Sequence, residues 1–308
     1  MPGYQSVAIV LKAFSATRGT RRLYRWLGNR VGQDWRKKEQ ALFYPERGIW
    51  LIDCLAELGL ALTPSSRVLE VGTGWMHFYA IFLRLFSTPQ ITVFDVVDNR
   101  QLSALQWRFC KISEYLATHS SLDEEKINAI KELTRRIAAV STFDELYELL
   151  GFTYRIDPVG DLGGFEENSF DLVFSFDVLE HVQRDILGDS IAAYYRVLKP
   201  GGYSIHQVAL DDHMAQYVKG ASPKQFLSYS EFSWKLRFEN RLQHINRVPH
   251  SEYLALFENC GFEPVQVSAL REPESIQGLS IAKQYRNMSL EDLEATRSFL
   301  VHRKPVGK

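Results

Sequence analysis

Apolar residues recur at helical spacing through Ile49, Trp50, Ile52, Leu55, Leu58 and Leu60, with Pro45 suited to a first turn and Gly59 close to an end. That spacing predicts a helix over Glu46 to Leu60. After the turn-forming Thr63-Pro64-Ser65-Ser66 the pattern becomes continuous rather than helical. Arg67-Val68-Leu69-Glu70-Val71 reads as a short buried strand, Gly72-Thr73-Gly74 as a turn, and Met76 to Phe86 as a strongly apolar helix. Ile91 to Val97 is a second buried strand. Strand, glycine turn, helix, strand is a βαβ unit, and the helical crossover returns the chain in the same direction, so the sheet is parallel.

Residues 101–150 carry helical spacing and no strand pattern, with Ser121 as an expected N-cap before Asp123-Glu124-Glu125. The stretch is long for one crossover and reads as an insertion. Phe170 to Phe176 is a third buried strand, followed by a helix through Tyr195, a Lys199-Pro200-Gly201-Gly202 turn and a strand from Tyr203 to Val208. Residues 211–250 are aromatic-rich and irregular, a second insertion. A helix over Glu252 to Asn259 ends at Gly261, and strands follow at Glu263 to Ala269 and Ser298 to Arg303. No repeat or linker interrupts the chain. The expected class is α/β, with a basic helical segment at 1–45 and one domain over 46–308 carrying both insertions.

Composition narrows the class further. At 308 residues, 45% hydrophobic and 24% charged, the chain is an ordinary globular one. Cys54, Cys110 and Cys260 are too scattered for a disulfide framework or a structural zinc site and suit a reducing compartment. No apolar run approaches the ~20 residues of a membrane span, and Val7 to Leu11 is too short for a signal-peptide core. A cytoplasmic location is expected. The net charge of −1 argues against a generic nucleic-acid binder. It is unevenly spread, however: residues 1–40 hold nine basic and two acidic side chains, +7, leaving −8 for the remaining 268. Between Ala16 and Val31, Leu23, Tyr24, Trp26, Leu27 and Val31 interleave with arginines, a spacing a helix sorts onto two faces. Two readings stay open: contact with a membrane surface or another anion, or packing on the acidic body of the same chain.

The glycine turn carries the first chemistry. Glycines directly after a strand let the backbone pass close to a ligand, and the next helix offers N–H groups and a positive dipole end. Asp95, at the end of the second strand, stands where a carboxylate accepts both hydroxyls of a ribose. A nucleotide-sugar or dinucleotide enzyme would use the same turn. Met76, where a third glycine would let a pyrophosphate approach, weighs against a nicotinamide dinucleotide.

These residues resemble a family. Val68-Leu69-Glu70-Val71-Gly72-Thr73-Gly74 is similar to the first motif of class I S-adenosylmethionine-dependent methyltransferases. Phe170 to Val173 with Val178-Leu179-Glu180-His181-Val182 resembles their fourth-strand motif, and Leu198-Lys199-Pro200-Gly201-Gly202 the turn before their fifth strand. The resemblance implies a three-layer Rossmann-like fold with a seven-stranded, mostly parallel sheet. It places Glu70, Gly72, Thr73 and Gly74 at the methionine side of the cofactor, Asp95 at the ribose, Asp161 and Leu162 at the adenine edge, and Ser175 in the same pocket. A cofactor-binding scaffold without catalysis would share all of this.

Methyl transfer to a hydroxyl needs a group that takes its proton or stabilises the alkoxide. Asp177, Glu180 and His181 form D-x-x-E-H just past the fourth strand. Ubiquinone-pathway O-methyltransferases have a similar E-x-x-E-H, for which a divalent-metal role is proposed. A second cluster runs from His206 to His213, with His206 and Val208 on one face of a strand and Asp211, Asp212 and His213 leaving its end. The expected catalytic residues are therefore His181, His206, Asp211 and His213, and the expected ligands of a Mg2+ ion are Asp177, Glu180 and Asp212. Tyr217, Phe226, Tyr229, Phe232, Trp234 and Phe238, with Lys224, Lys235, Arg237, Arg241 and Arg247, suit either a sugar, phosphorylated or aromatic acceptor or the packing of a lid. The expected activity is O-methylation of a small or lipid-linked, glycosyl-type acceptor, with N- or C-methylation as the alternative. His77, His119, His244 and His250 have no partner assignable from sequence.

Overall fold

The computed structural model describes residues 3–31, 43–119, 122–240, 242 and 244–307. Ser121, Arg241 and the charged run Asp34 to Glu39 lie outside them. Seven strands, β1 (Arg67–Val71), β2 (Gln90–Asp95), β3 (Phe152–Ile156), β4 (Phe170–Phe176), β5 (Leu198–Ala209), β6 (Glu263–Arg271) and β7 (Ala295–Arg303), form one sheet in the order β3-β2-β1-β4-β5-β7-β6. β2 pairs parallel with β1 and β3, and β7 pairs antiparallel with β5 and β6. This is the mostly parallel seven-stranded α/β sheet that the sequence implies.

Two differences have physical causes. β3 adds to the expected strands: its five residues alternate, Phe152, Tyr154 and Ile156 against Thr153 and Arg155, but it is a short, half-exposed edge strand entered directly from Gly151, whose φ of +65° ends the preceding helix. The helical insertion resolves into α5 (Leu102–Phe109), α6 (Ile112–His119), α7 (Glu124–Ala139) and α8 (Phe143–Leu150). The cap of α7 is Asp123, whose side chain accepts from Lys126 N at 2.8 Å, rather than Ser121. No helix among the described residues is long and apolar enough to cross a membrane.

By packing, the chain divides into two compact units, 31–165 with 169–173, and 1–30 with 166–168 and 174–308. In the first, α3 (Phe43–Glu57) lies against α4 (Phe78–Phe86). A Cβ on Gly48 would come within 2.6 Å of the Phe82 ring, so only glycine permits this approach. Phe78, Phe82 and Phe109 stack behind it, which fixes the helix that leaves the glycine turn. In the second unit, Ala8 and Leu11 of α1 (Tyr4–Ser15) share a core with Met214, Phe226, Leu227, Trp234 and Phe238. Tyr4 stacks on Tyr229 at 5.8 Å. Most aromatics of the second insertion thus serve packing, with the N-terminal helix as their partner. Tyr217 and Phe232, the latter on the helix Glu231–Arg237, are exposed instead.

Candidate active site

The turn after β1 is held by backbone and carboxylate together. Gly72 and Gly74 take φ of +68° and +64°, left-handed values that a side chain resists. Gly72 N and Thr73 N both donate to the Phe94 carbonyl, which ties the turn to β2. Gly74 N donates to Asp95 Oδ2 at 2.8 Å, and Val97 N to Asp95 Oδ1 at 3.1 Å. Burial raises the pKa of Asp95 against these bonds, which lower it. A Cβ at Gly74 would meet only the Gly72 carbonyl, 3.9 Å away, so the space beyond the turn is open.

Glu70 turns inward. It is buried, accepts from Thr73 Oγ1 at 2.7 Å and from Ala80 N, and so braces the turn against the first residues of α4. Asp161 is exposed and accepts from Gly163 N at 2.7 Å in an Asx turn, while Leu162 is buried at φ +57°. A bulky left-handed residue is uncommon and clusters at ligand sites.

In the second unit, the segments after β4 and β5 bring a different set together. Glu180 and His181 sit in the short 3-10 turn Leu179–His181, and His213 follows β5. One ligand atom from each lies within 4.8 Å of the other two. The His181 and His213 rings meet edge-on at 5.0 Å, and Asp211 Oδ1 stands 3.9 Å from His213 Nε2. His181 Nδ1 donates to the His244 carbonyl at 2.6 Å, which leaves Nε2 with its lone pair. Protein crowding and the neighbouring His213 pull the His181 pKa down to about 4, although the residue keeps an exposed edge. Burial pushes Glu180 well above the ordinary carboxylate range, with Asp177 adding to the shift.

The other expected residues are placed elsewhere. Asp177, at φ +54°, accepts from Arg297 Nη1 at 3.0 Å. Asp212 is fully buried, accepting from the Tyr4 hydroxyl and from Met214 N at 3.0 Å. The three carboxylates expected to hold Mg2+ therefore do not converge. His206 is a core residue: Nδ1 meets Ser175 Oγ and Nε2 meets Ser204 Oγ, each at 2.7 Å. Alternation did place its face, but β5 is buried on both faces, so alternation says nothing about access. Lys224 is buried as well, its ammonium donating to the Leu210 and Ala295 carbonyls, so it is not free to meet an acceptor.

Residues 46–267 match the family model of a methyltransferase domain. The chain belongs to that family, the class I S-adenosylmethionine-dependent methyltransferases. Among solved structures it is similar to phosphoethanolamine N-methyltransferase 2 of Haemonchus contortus in complex with S-adenosyl-L-methionine, at 14% identity and a TM-score of 0.48, covering 84% of this chain and 52% of that one. It thus spans about half the length of that enzyme. It is also similar to geranyl diphosphate C-methyltransferase of Streptomyces coelicolor, at 12% identity and a TM-score of 0.45, covering 84% and 78%. No curated protein matches it in sequence.

The methyltransferase domain contains a buried relay that sequence reasoning missed. His77, at φ +48°, meets Thr73 Oγ1 through Nδ1 at 2.7 Å and the Tyr147 hydroxyl through Nε2 at 2.8 Å. One arrangement satisfies every acceptor: Tyr147 donates to His77, His77 to Thr73, and Thr73 to Glu70. Burial and the Arg100 cation hold His77 neutral, with a pKa down to about 3. The insertion helix α8 is thereby wired to the glycine turn. No local signal marks this, because Tyr147 lies 70 residues from His77.

Glu70 sets a pH dependence. Burial raises its pKa from 4.5 to about 8, so the folded state favours the neutral carboxyl. The stability this contributes is complete below the unfolded pKa and is lost as pH rises through about 8. Between those limits the protein should lose on the order of a few kcal/mol from this group. Asp212, raised by burial to about 6, adds a smaller fall at lower pH. Glu70→Gln should flatten the slope above pH 6 in urea unfolding midpoints taken from pH 5 to 9; an unaltered slope would show that Glu70 does not titrate there.

Proposed function

We propose that this methyltransferase binds S-adenosylmethionine at the Gly72-Thr73-Gly74 turn and methylates an oxygen of a small or lipid-linked acceptor of glycosyl type. The residues fit the cofactor: Asp95 offers a half-buried carboxylate for the ribose diol, and the open space at Gly74 admits the methionine end. When bound, the cofactor supplies an electrophilic methyl on a sulfonium. The acceptor O–CH3 bond forms as the S–CH3 bond breaks, the thioether leaves neutral, and the hydroxyl proton goes to the protein.

The observation that carries the oxygen reading is the group His181, His213, Asp211 and Glu180, which offers lone pairs and carboxylates for that proton. A lipid-linked acceptor, with a peripheral position at an anionic membrane, is supported by the first helices. In α2 (Arg18–Val31) no acidic residue occurs, Arg18 and Arg22 are exposed, and Leu23 and Leu27 are exposed beside them. Ile9 and Val10 of α1 are exposed too.

The test is methyl transfer from isotopically labelled cofactor to a glycolipid-containing extract, with the product's methylated atom assigned by mass spectrometry. Flotation of the same protein with anionic and neutral vesicles runs alongside. An O-methyl product, with flotation that Leu23→Glu and Leu27→Glu together reduce at least threefold, is expected. An N- or C-methyl product overturns the oxygen reading, and equal flotation of the double variant overturns the membrane reading.

A further inference from the structure

Glu180, His181 and His213 reach one point from two separate stretches of chain, and the first two each have a feature that points to a cation. Glu180 is buried, with Oε1 taking a long 3.4 Å bond from Ala209 N. Its other oxygen, Oε2, is buried without a hydrogen-bond partner among the described residues. A carboxylate oxygen out of water and without a donor is costly, and a bound cation removes that cost. His181 has its tautomer fixed by the His244 carbonyl behind it, the outer-shell arrangement that aims a metal-binding imidazole. Bonds of about 2.0–2.2 Å put two ligands of one ion at most ~4.4 Å apart, so atoms within 4.8 Å close by a few tenths of an ångström.

We propose that Glu180, His181 and His213 form a site for one divalent transition-metal ion of the Zn2+ class. Two imidazoles and one carboxylate are a nitrogen-rich set. Mg2+ asks for octahedral oxygen, and the carboxylates that would complete an oxygen set, Asp177 and Asp212, are taken up by Arg297 and Tyr4. Three protein ligands leave a position open for an acceptor oxygen, where the ion would lower the hydroxyl pKa. That last role rests on the O-methylation reading; the binding of the ion does not.

The experiment uses the full chain, stripped with chelator and titrated with Co2+ as a spectroscopic probe, then with Zn2+ and Mg2+ by calorimetry. One ion per chain is expected, with visible cobalt absorption and Zn2+ held at least a hundredfold more tightly than Mg2+. Glu180→Gln and His213→Ala should each weaken Zn2+ at least tenfold with an unchanged circular dichroism spectrum, whereas Asp177→Asn should not. Absence of stoichiometric binding, a preference for Mg2+, or equal affinity in Glu180→Gln and His213→Ala overturns the site. O-methylation that persists without any metal binding overturns the metal and leaves the acceptor reading. A bound metal beside an N- or C-methyl product does the reverse.

Discussion

Asp95→Ala should weaken S-adenosylmethionine binding about a hundredfold or more while the protein still folds. The carboxylate does two things that the variant removes together. It holds Gly74 N at 2.8 Å and Val97 N at 3.1 Å, which shapes the turn, and in the cofactor site proposed above its charge would meet the ribose hydroxyls. Hydrogen bonds to an ionised group contribute about 1.5–3 kcal/mol each. Losing the equivalent of one to two of them gives about 3 kcal/mol, or roughly a hundredfold in affinity. Folding survives because burial already disfavours this carboxylate's charge. Gly74→Val should act through the backbone instead, since φ of +64° is closed to a β-branched residue. Calorimetric titration measures both, and unchanged affinity in both variants removes the cofactor from this turn.

What could be read from sequence follows from how local each signal is. β1 and β4 were legible to the residue, because strands buried on both faces are short, densely apolar segments closed by turn residues. The Gly72-Thr73-Gly74 turn and Asp95 were legible for the same reason: strand ends fix where they stand. β3 was not, since the alternation of Phe-Thr-Tyr-Arg-Ile runs for only five residues, too briefly to stand out from the long helical stretch it follows. The second insertion was half legible. Its aromatics announced a packed or binding surface, but their partner, Tyr4 and the rest of α1, lies some 200 residues away in sequence, as the Tyr4 to Asp212 bond shows. Polar residues were the hardest to place. His181, His206 and His213 look alike in a sequence, and only the third dimension shows that one has both ring nitrogens consumed inside the core.

That difference yields the second large effect. His181→Ala and His213→Ala should each lower kcat about 10²–10⁴-fold with cofactor affinity unchanged, the range for removing a group that handles the acceptor proton. His181 is suited to this by the His244 carbonyl, which occupies Nδ1 and leaves Nε2 with its lone pair at an exposed edge. His213 stands beside it, its ring meeting that of His181 edge-on at 5.0 Å and its Nε2 lying 3.9 Å from Asp211 Oδ1. His206→Ala should behave oppositely. It leaves Ser175 and Ser204 with buried hydroxyls deprived of their partner and opens a cavity beside Tyr194, whose ring stacks on the imidazole at 5.2 Å. The cost should appear as about 2–4 kcal/mol of stability, with kcat per folded molecule close to native. Steady-state kinetics and thermal unfolding of the three variants separate the two roles. Near-native kcat in both His181→Ala and His213→Ala would mean that the acceptor is activated elsewhere, and a collapse of kcat in a folded His206→Ala would put the chemistry on β5.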